Sequence, residues 1–177
     1  MQPVTAEEII RIYGLMRHPE GGHFKETYRS EASALHAAPP QALAGSRNFS
    51  TAIYFLLAAG EKSALHRIKS DEVWHFYLGG PLVIAQLLPG KPPKKTILGQ
   101  NILAGQVVQY TVPGGSWFGA YPCPGTEFSL VGCTVSPGFD YSDFELAERS
   151  ELLKEFPEAE GLICELAPAR RGGPPEI

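Results

Sequence analysis

Residues 60–79 have the sequence GEKSALHRIKSDEVWHFYLG, and the later part, EVWHFYL, is typical of a β-strand. Its aromatic and β-branched side chains suit a pleated, half-buried surface. Because successive side chains along a strand point to opposite faces, Glu72 and Trp74 share one face while His75 and Tyr77 share the other. The stretch predicts a strand with one face toward a core and the other toward an interface or a pocket.

Short segments of the same texture lie on both sides of this strand. Each is rich in aromatic and β-branched residues, and Gly or Pro stands between most of them. Several short strands separated by such turn signals are typical of an all-β sandwich or barrel. The predicted strands are 24–30, 50–57, 72–78, 82–88, 106–112 and 128–135.

Helices are predicted only toward the two ends of the chain. Thr5 and Glu8 have the spacing of a capping box, which predicts a short N-terminal helix that ends before Gly14. Near the other end, residues 143–157 are rich in helix-forming residues, with Asp143 as the possible N-cap.

The length of 177 residues suits one domain, which we place at residues 1–166, followed by a flexible tail at 167–177. Residues 31–47, rich in Ala, Pro and Ser, predict an exposed loop. Hydrophobic residues make up 44% of the chain, enough for a buried core. The formal net charge is −4 and the 15 Lys and Arg residues are scattered, so we expect no nucleic-acid-binding face.

The sequence also predicts a location in the cell. The N-terminal residues resemble no secretory signal, and no apolar run approaches the roughly 18 residues that a membrane span needs. The three cysteines, Cys123, Cys133 and Cys164, lack the spacing of a metal site or a disulfide framework. We therefore expect a cytoplasmic protein that does not enter a membrane, with Cys133 as a buried structural thiol.

The spacing of the opening stretch resembles the first motif of the cupin family. The motif runs through Gly60, His66, Ile68, Glu72 and Gly79, with five, one, three and six residues between them. The family pattern has a second His at the position of Ile68.

A second, looser resemblance involves Gly105, Pro113 and Gly115, which are similar to the second cupin motif. Seven residues separate Gly105 from Pro113, where the family usually has five. The family's third His would fall at Phe118.

A closer resemblance extends from about residue 7 to residue 147, to a cupin subfamily known as cupin-5, a domain of unknown function. It implies an all-β, cupin-type jelly-roll β-barrel with a short N-terminal helix and a helical C-terminal segment. It also implies a homodimer, and a fold similar to that of sugar-nucleotide epimerases and seed storage proteins. The five blocks that carry it are residues 18–30, 50–57, 70–77, 117–120 and 130–139.

Metal-binding cupins hold a divalent ion with three His and one Glu. Only His66 and Glu72 remain in register here, and His75 could replace a ligand only if a bulge turned it to the same face as Glu72. We therefore expect no cofactor, with one divalent metal as the alternative.

His66 and Glu72 are the candidate catalytic residues. An imidazole has an unperturbed pKa near 6.5, which suits proton transfer at neutral pH, and Glu72 would orient His66 or take a second proton-transfer role. Arg29 would clamp a carboxylate or phosphate, or else form a surface ion pair. The candidate pocket residues are Glu20, Tyr28, Arg29, Tyr54, Trp74, His75, Tyr77, Gln86, Gln109 and Trp117.

Three functions remain open at this point. The first is a metal-independent epimerase or isomerase that acts on a small polar or sugar-like metabolite inside the barrel. The second is a metabolite-binding protein without catalysis. The third is a metal-dependent oxygenase or decarboxylase with an incomplete set of ligands.

Overall fold

The computed structural model describes residues 4–35 and 45–168 and consists mainly of antiparallel strands. None of the helices in this part of the chain is long and apolar enough to cross a membrane. The strands are β1 (Met16–Arg17), β2 (His23–Arg29), β3 (Ser33–Leu35), β4 (Ser46–Asn48), β5 (Thr51–Ala58), β6 (Ser63–Arg67), β7 (Asp71–Gly79), β8 (Leu82–Leu87), β9 (Lys94–Leu98), β10 (Gln109–Val112), β11 (Trp117–Pro122), β12 (Phe128–Ser136) and β13 (Glu145–Leu146). The helices are α1 (Ala6–Tyr13), α2 (Arg149–Glu155) and α3 (Glu160–Leu166), with 3₁₀ turns at Ile102–Ala104, Tyr141–Asp143 and Pro157–Ala159.

Two sheets pack face to face. The larger has the strand order β1-β2-β5-β12-β7-β10, the smaller has the order β13-β6-β11-β8-β9, and β3 pairs with β4 separately. The main core lies between them, with Phe55, Trp74 and Val131 from the larger sheet against Ile84 and Phe118 from the smaller. This arrangement confirms the predicted all-β fold.

The helices cover the outer faces of both sheets. Trp117 of β11 packs with Phe156 and Ile163, so the C-terminal helices bury the outer face of the smaller sheet. Ile9 of α1 packs against Leu56 of β5 on the outer face of the larger sheet. Both predicted helical regions are therefore present.

The predicted N-terminal helix is confirmed in detail. The Thr5 hydroxyl accepts the Glu8 N–H, the Glu8 carboxylate accepts the Thr5 N–H, and Gly14 ends the helix with a φ of 63°. A positive φ at this position favours glycine, because glycine has no Cβ that would clash with the backbone.

Some predicted boundaries were wrong. The C-terminal helical segment begins at Arg149 with Glu148 as its N-cap, while Asp143 lies in a 3₁₀ turn and pairs with buried Arg47 at 2.7 Å. The predicted loop at 31–47 contains β3 and the first residues of β4, and its residues 36–44 lie outside the described chain. Of the predicted tail, Ala167 is buried, and residues from 169 onward also lie outside the described chain.

A tight turn between β1 and β2 attaches the N-terminal part of the chain to the smaller sheet. The N–H of Ala64 donates to the carbonyl of Glu20 at 2.8 Å. Gly21 follows with a φ of 111°, and a Cβ at this position would overlap the carbonyl oxygen of Lys62. Only glycine allows the turn to lie this close to β6.

This contact predicts that Gly21→Ala destabilises the fold by about 1–3 kcal/mol, because the substitution adds both a strained backbone and an overlap with Lys62. Chemical denaturation would measure the free energy of unfolding. Gly60→Ala is the matched control, since Gly60 also has a positive φ of 78° but has no atom within 4 Å of the added Cβ. Equal losses for the two variants would contradict the role of the close approach.

Candidate functional site

A cavity of about 370 Å³ opens between the two sheets on the inner face of the larger one. This volume is within the range of small-molecule sites. Its apolar wall consists of Phe24, Ile53, Phe55, Ile68, Trp74, Val135, Phe139 and Phe144. Its polar lining consists of His18, Glu20, Glu26, Arg29, Thr51, His66, Glu72, Cys133, Asp140 and Tyr141.

Glu20 and His66 form a buried pair in this cavity. His66 Nε2 lies 3.2 Å from Glu20 Oε2, and the two side chains are only 3% and 8% exposed. Ser63 donates to the other oxygen of Glu20 at 2.9 Å. An extra residue in β6 relative to β11, between Ser63 and His66, allows both side chains to face inward although they are three positions apart.

The pair shares one proton. His66 Nδ1 lies 2.8 Å from the carbonyl oxygen of Ala64, so Nδ1 carries a hydrogen and donates it. Nε2 and Glu20 then hold a single hydrogen between them. Burial lowers the pKa of His66 to about 4 and raises the pKa of Glu20. Both directions favour the neutral forms of the two groups over an imidazolium–carboxylate ion pair.

His18 is a second imidazole close to the Glu20 carboxyl group. Its Nδ1 lies 3.5 Å from Glu20 Oε2, and its ring meets the edge of Phe24 at a centroid distance of 4.6 Å. Burial lowers the pKa of His18, and the charge of Glu20 opposes this shift. Glu20 is therefore flanked by two imidazoles within one apolar enclosure.

Glu72 and Cys133 form a second buried pair on the larger sheet. Their side chains are hydrogen-bonded, and both line the cavity. Burial, together with the charge of Glu20, raises the pKa of Glu72 to about 8. Burial also raises the pKa of the Cys133 thiol well above its usual range. At neutral pH both groups are therefore neutral hydrogen-bonding groups.

An ion pair between Arg29 and Glu26 also lines the cavity. Arg29 Nε and Nη2 donate to the two oxygens of Glu26 at 2.9 and 2.6 Å. A bulge in β2 between Glu26 and Tyr28 turns both Glu26 and Arg29 inward, although residues three apart on a regular strand face opposite sides.

Comparison with known proteins identifies the family. The family described as Cupin superfamily (DUF985) matches residues 7–147. The chain belongs to this cupin family. The match confirms the resemblance drawn from the five sequence blocks.

Two solved structures and one yeast protein are similar to this chain over most of its length. A hypothetical protein from Leishmania major has a TM-score of 0.85 and 34% identity, and the match covers 93% of this cupin and 99% of that chain. A protein from Shewanella oneidensis has a TM-score of 0.82 and 37% identity, with coverage of 94% and 99%. An uncharacterised protein of Saccharomyces cerevisiae is 29% identical over 160 residues, which is 86% of this cupin and 80% of the yeast protein.

Five of the twelve predicted site residues lie together in the cavity of this cupin. They are Glu20, Arg29, His66, Glu72 and Trp74. The pairing differs from the expectation, because the carboxyl group next to His66 belongs to Glu20, and Glu72 contacts Cys133 instead.

Four predicted pocket residues lie on the outer face of the larger sheet, and we call them the outer-face cluster: Tyr54, His75, Tyr77 and Gln109. Gln109 and Thr134 both contact the imidazole of His75, at 3.0 and 3.1 Å. The rings of Tyr54 and Tyr77 meet edge to face at 6.0 Å. No bulge separates Glu72 from His75 along the pairing with β12, so His75 does not turn inward.

The other three predicted pocket residues are also outside the cavity. Tyr28 is 55% exposed. Gln86 is buried and accepts a hydrogen bond from Tyr110. Trp117 packs beneath the C-terminal helices, with the guanidinium of Arg67 4.4 Å from its ring centroid.

His18, Glu26 and Cys133 line the cavity but were not predicted as site residues. His18 stands two residues before Glu20 in the first family block, which was the available signal. Glu26 could not be found by strand periodicity because the β2 bulge reverses its relation to Arg29. Cys133 was predicted as a structural thiol, and it is indeed buried, but its side chain forms part of the cavity wall.

The residues of this cupin do not fit the metal site of the superfamily. Ile68 and Phe118 occupy two of the family's His positions, and the Phe118 ring lies 4.1 Å from the ring of His66. Both nitrogens of His66 already have partners, Ala64 and Glu20. Within residues 4–35 and 45–168, no group of three His, Cys, Asp or Glu side chains is arranged to hold a metal ion.

The raised pKa of Glu72 predicts a pH-dependent stability. A group whose pKa is raised on folding, here from 4.5 to about 8, stabilises the fold fully below pH 4.5, and this contribution is lost as pH rises through 8. Glu72→Gln removes the ionisation. We expect the Tm of the variant, relative to wild type, to rise by about 3 °C or more between pH 5 and pH 9.

Thermal unfolding at a series of pH values measures this difference. Glu127→Gln is the control, because Glu127 is an exposed carboxylate outside the cavity. A difference between Glu72→Gln and wild type that stays constant from pH 5 to pH 9 would contradict the raised pKa.

Proposed function

We propose that this cupin binds a small molecule in the cavity and transfers a proton to or from it without a metal, as an epimerase or isomerase does. The observation that carries the proposal is the buried Glu20–His66 pair, in which Nε2 and Oε2 lie 3.2 Å apart. A buried acid and base with shifted pKa values in a cleft are typical of proton-transfer sites.

The chemistry follows from the number of protons that each pair can hold. The Glu20–His66 pair accepts a second proton when a carbon–hydrogen bond next to a carbonyl group breaks, and becomes a protonated Glu20 beside an imidazolium. The electron pair of that bond moves into the carbonyl group, and protonated Glu72 gives its proton to the developing oxyanion. For an epimer, a water molecule on the opposite face protonates the same carbon and takes a proton back from the Glu20–His66 pair, while the enol O–H returns its proton to Glu72. For an isomer, the pair returns its proton to the neighbouring carbon, and the hydroxyl group on the first carbon gives its proton to Glu72.

A solvent-exchange experiment tests this proposal across several classes of carbonyl compound at once. The protein is incubated in D₂O with a panel of aldoses, ketoses and cyclic ketones, and loss of the α C–H signal is followed by ¹H NMR. We expect enzyme-dependent exchange for at least one compound, and a fall of about 100-fold or more in His66→Gln, which is the usual size of a general-base contribution.

The matched control is His75→Gln, which removes an imidazole from the outer-face cluster and should leave the exchange rate unchanged within about twofold. Exchange that survives His66→Gln would contradict the proposal. A co-purified small molecule without exchange would favour the non-catalytic binding protein. Elemental analysis of the same sample tests the third function, a metal-dependent oxygenase or decarboxylase. A stoichiometric metal that is lost in His66→Ala would favour this function.

We also propose that the chain forms a homodimer in the cytoplasm. All three cysteines are free thiols, which suits a reducing compartment. Tyr28, Tyr77 and Val108 are 48–55% exposed, and Tyr28 and Tyr77 lie on the larger sheet next to the unpaired edges that β1 and β10 leave. Exposed apolar side chains beside open sheet edges favour self-association.

Light scattering coupled to size-exclusion chromatography tests the dimer. We expect a dimer mass at micromolar concentration for the wild type and a shift toward monomer in Tyr28→Glu. Ile102→Glu is the control, because Ile102 is 66% exposed but lies in the 3₁₀ turn after β9. A monomeric wild type would contradict the homodimer.

A further inference from the structure

We infer that the cavity selects an uncharged ring compound that carries a carbonyl or similar acceptor oxygen, and that it rejects phosphates and carboxylates. This inference names the ligand class for the site of the proposed function. Three observations carry it: the hydrogen bonds of Arg29, the unpartnered indole N–H of Trp74 and the aromatic wall.

Arg29 has at most one N–H group left for an anionic ligand. It is the sole Lys or Arg among the described residues that line the cavity. Its Nε and Nη2 donate to Glu26, and its Nη1 donates to Asn48 Oδ1 at 2.9 Å and to the carbonyl of Phe139 at 3.2 Å. Four of the five N–H groups of a guanidinium are thus occupied, and the charge is neutralised by Glu26. A phosphate or carboxylate entering this cavity would lose its hydration without a free cation in return.

Trp74 supplies the donor that an acceptor oxygen needs. Its side chain lines the cavity and is 1% exposed, and Nε1 is buried without a hydrogen-bond acceptor among the described residues. A buried donor without a partner costs about 1–3 kcal/mol, so a ligand oxygen that accepts from it is favoured. Glu72 adds to this pattern, because burial raises its pKa to about 8 and makes it a neutral donor at neutral pH.

The walls suit a flat or cyclic molecule. Phe24, Phe55, Phe139 and Phe144 surround the buried polar groups. Aromatic faces and edges pack well against a ring and gain little from a short charged ligand. The apolar lining also weakens the binding of any charged ligand, because apolar side chains solvate a charge poorly.

A set of three compounds of equal shape tests the charge selection: benzamide is neutral, benzoate is an anion and benzamidine is a cation. Binding is followed by ¹H–¹⁵N NMR of the indole N–H signals. The chain has two tryptophans, so Trp117, buried under the C-terminal helices, is an internal control for Trp74. We expect benzamide to shift only the Trp74 signal and to bind at least fivefold tighter than either charged compound.

Two variants test the causes separately. Trp74→Phe keeps an aromatic side chain but removes the indole N–H, so benzamide binding to this variant is measured by isothermal titration calorimetry. It should be about fivefold to tenfold weaker than in the wild type, the size of one hydrogen bond. Glu26→Gln frees the Arg29 fork, and should bind benzoate at least fivefold tighter than wild type does. The double variant Glu26→Gln/Arg29→Gln should return benzoate affinity to the wild-type level.

The outcomes separate this inference from the proposed function. Wild-type binding of benzoate or benzamidine as tight as that of benzamide would overturn the charge selection, and failure of benzamide to bind would overturn the ring and acceptor class. Neither result depends on the exchange rate in D₂O. If the wild type prefers benzamide over the charged compounds but catalyses no exchange in D₂O, the inferred ligand class is supported and the proton-transfer function is contradicted.

Discussion

Insertion of the Glu20 carboxyl group between the two sheets is the constraint on which the rest of the site depends. The main-chain contact from Ala64 to Glu20 fixes the turn, and the Ser63 hydroxyl fixes the side chain. Because the carboxyl group is then remote from water, its protonation is governed by two imidazoles and the surrounding aromatic rings. The shifted pKa values of His66 and Glu72 follow from the same enclosure, with Glu20 contributing directly to the shift of Glu72.

The distribution of charge divides the cavity into two zones. The buried zone holds Glu20, His66 and Glu72, whose neutral forms are favoured by burial and which can exchange protons with one another or with a ligand. The second zone holds Arg29 and Glu26, which are charged and paired. The groups that exchange protons are thus separate from the groups with fixed charge. Because the fixed charges are paired with each other, they add little to the free energy of changing a protonation state in the buried zone.

Periodicity and turn residues predicted the sheet but not the site. The six strongly apolar strands, the capping box and the helical C-terminal segment could be predicted, since their side chains repeat with a regular period. The pairing of His66 with Glu20 depends on a contact across 46 residues, counted from 20 to 66, that no local pattern encodes. Glu26 and Ser63 escaped prediction because a bulge follows each of them, and a bulge reverses the parity from which inward residues are identified.

The extra residue in β2 has a consequence for how this cavity can diverge. Deletion of Thr27 would restore regular pairing with β5 and leave Glu26 and Arg29 two positions apart on the strand, so both side chains would still face the interior. The cavity would then keep its net charge although the strand was one residue shorter. The strand can thus lose one codon without a change in the charge that lines the cavity, and two sequences of different strand length can carry the same ion pair.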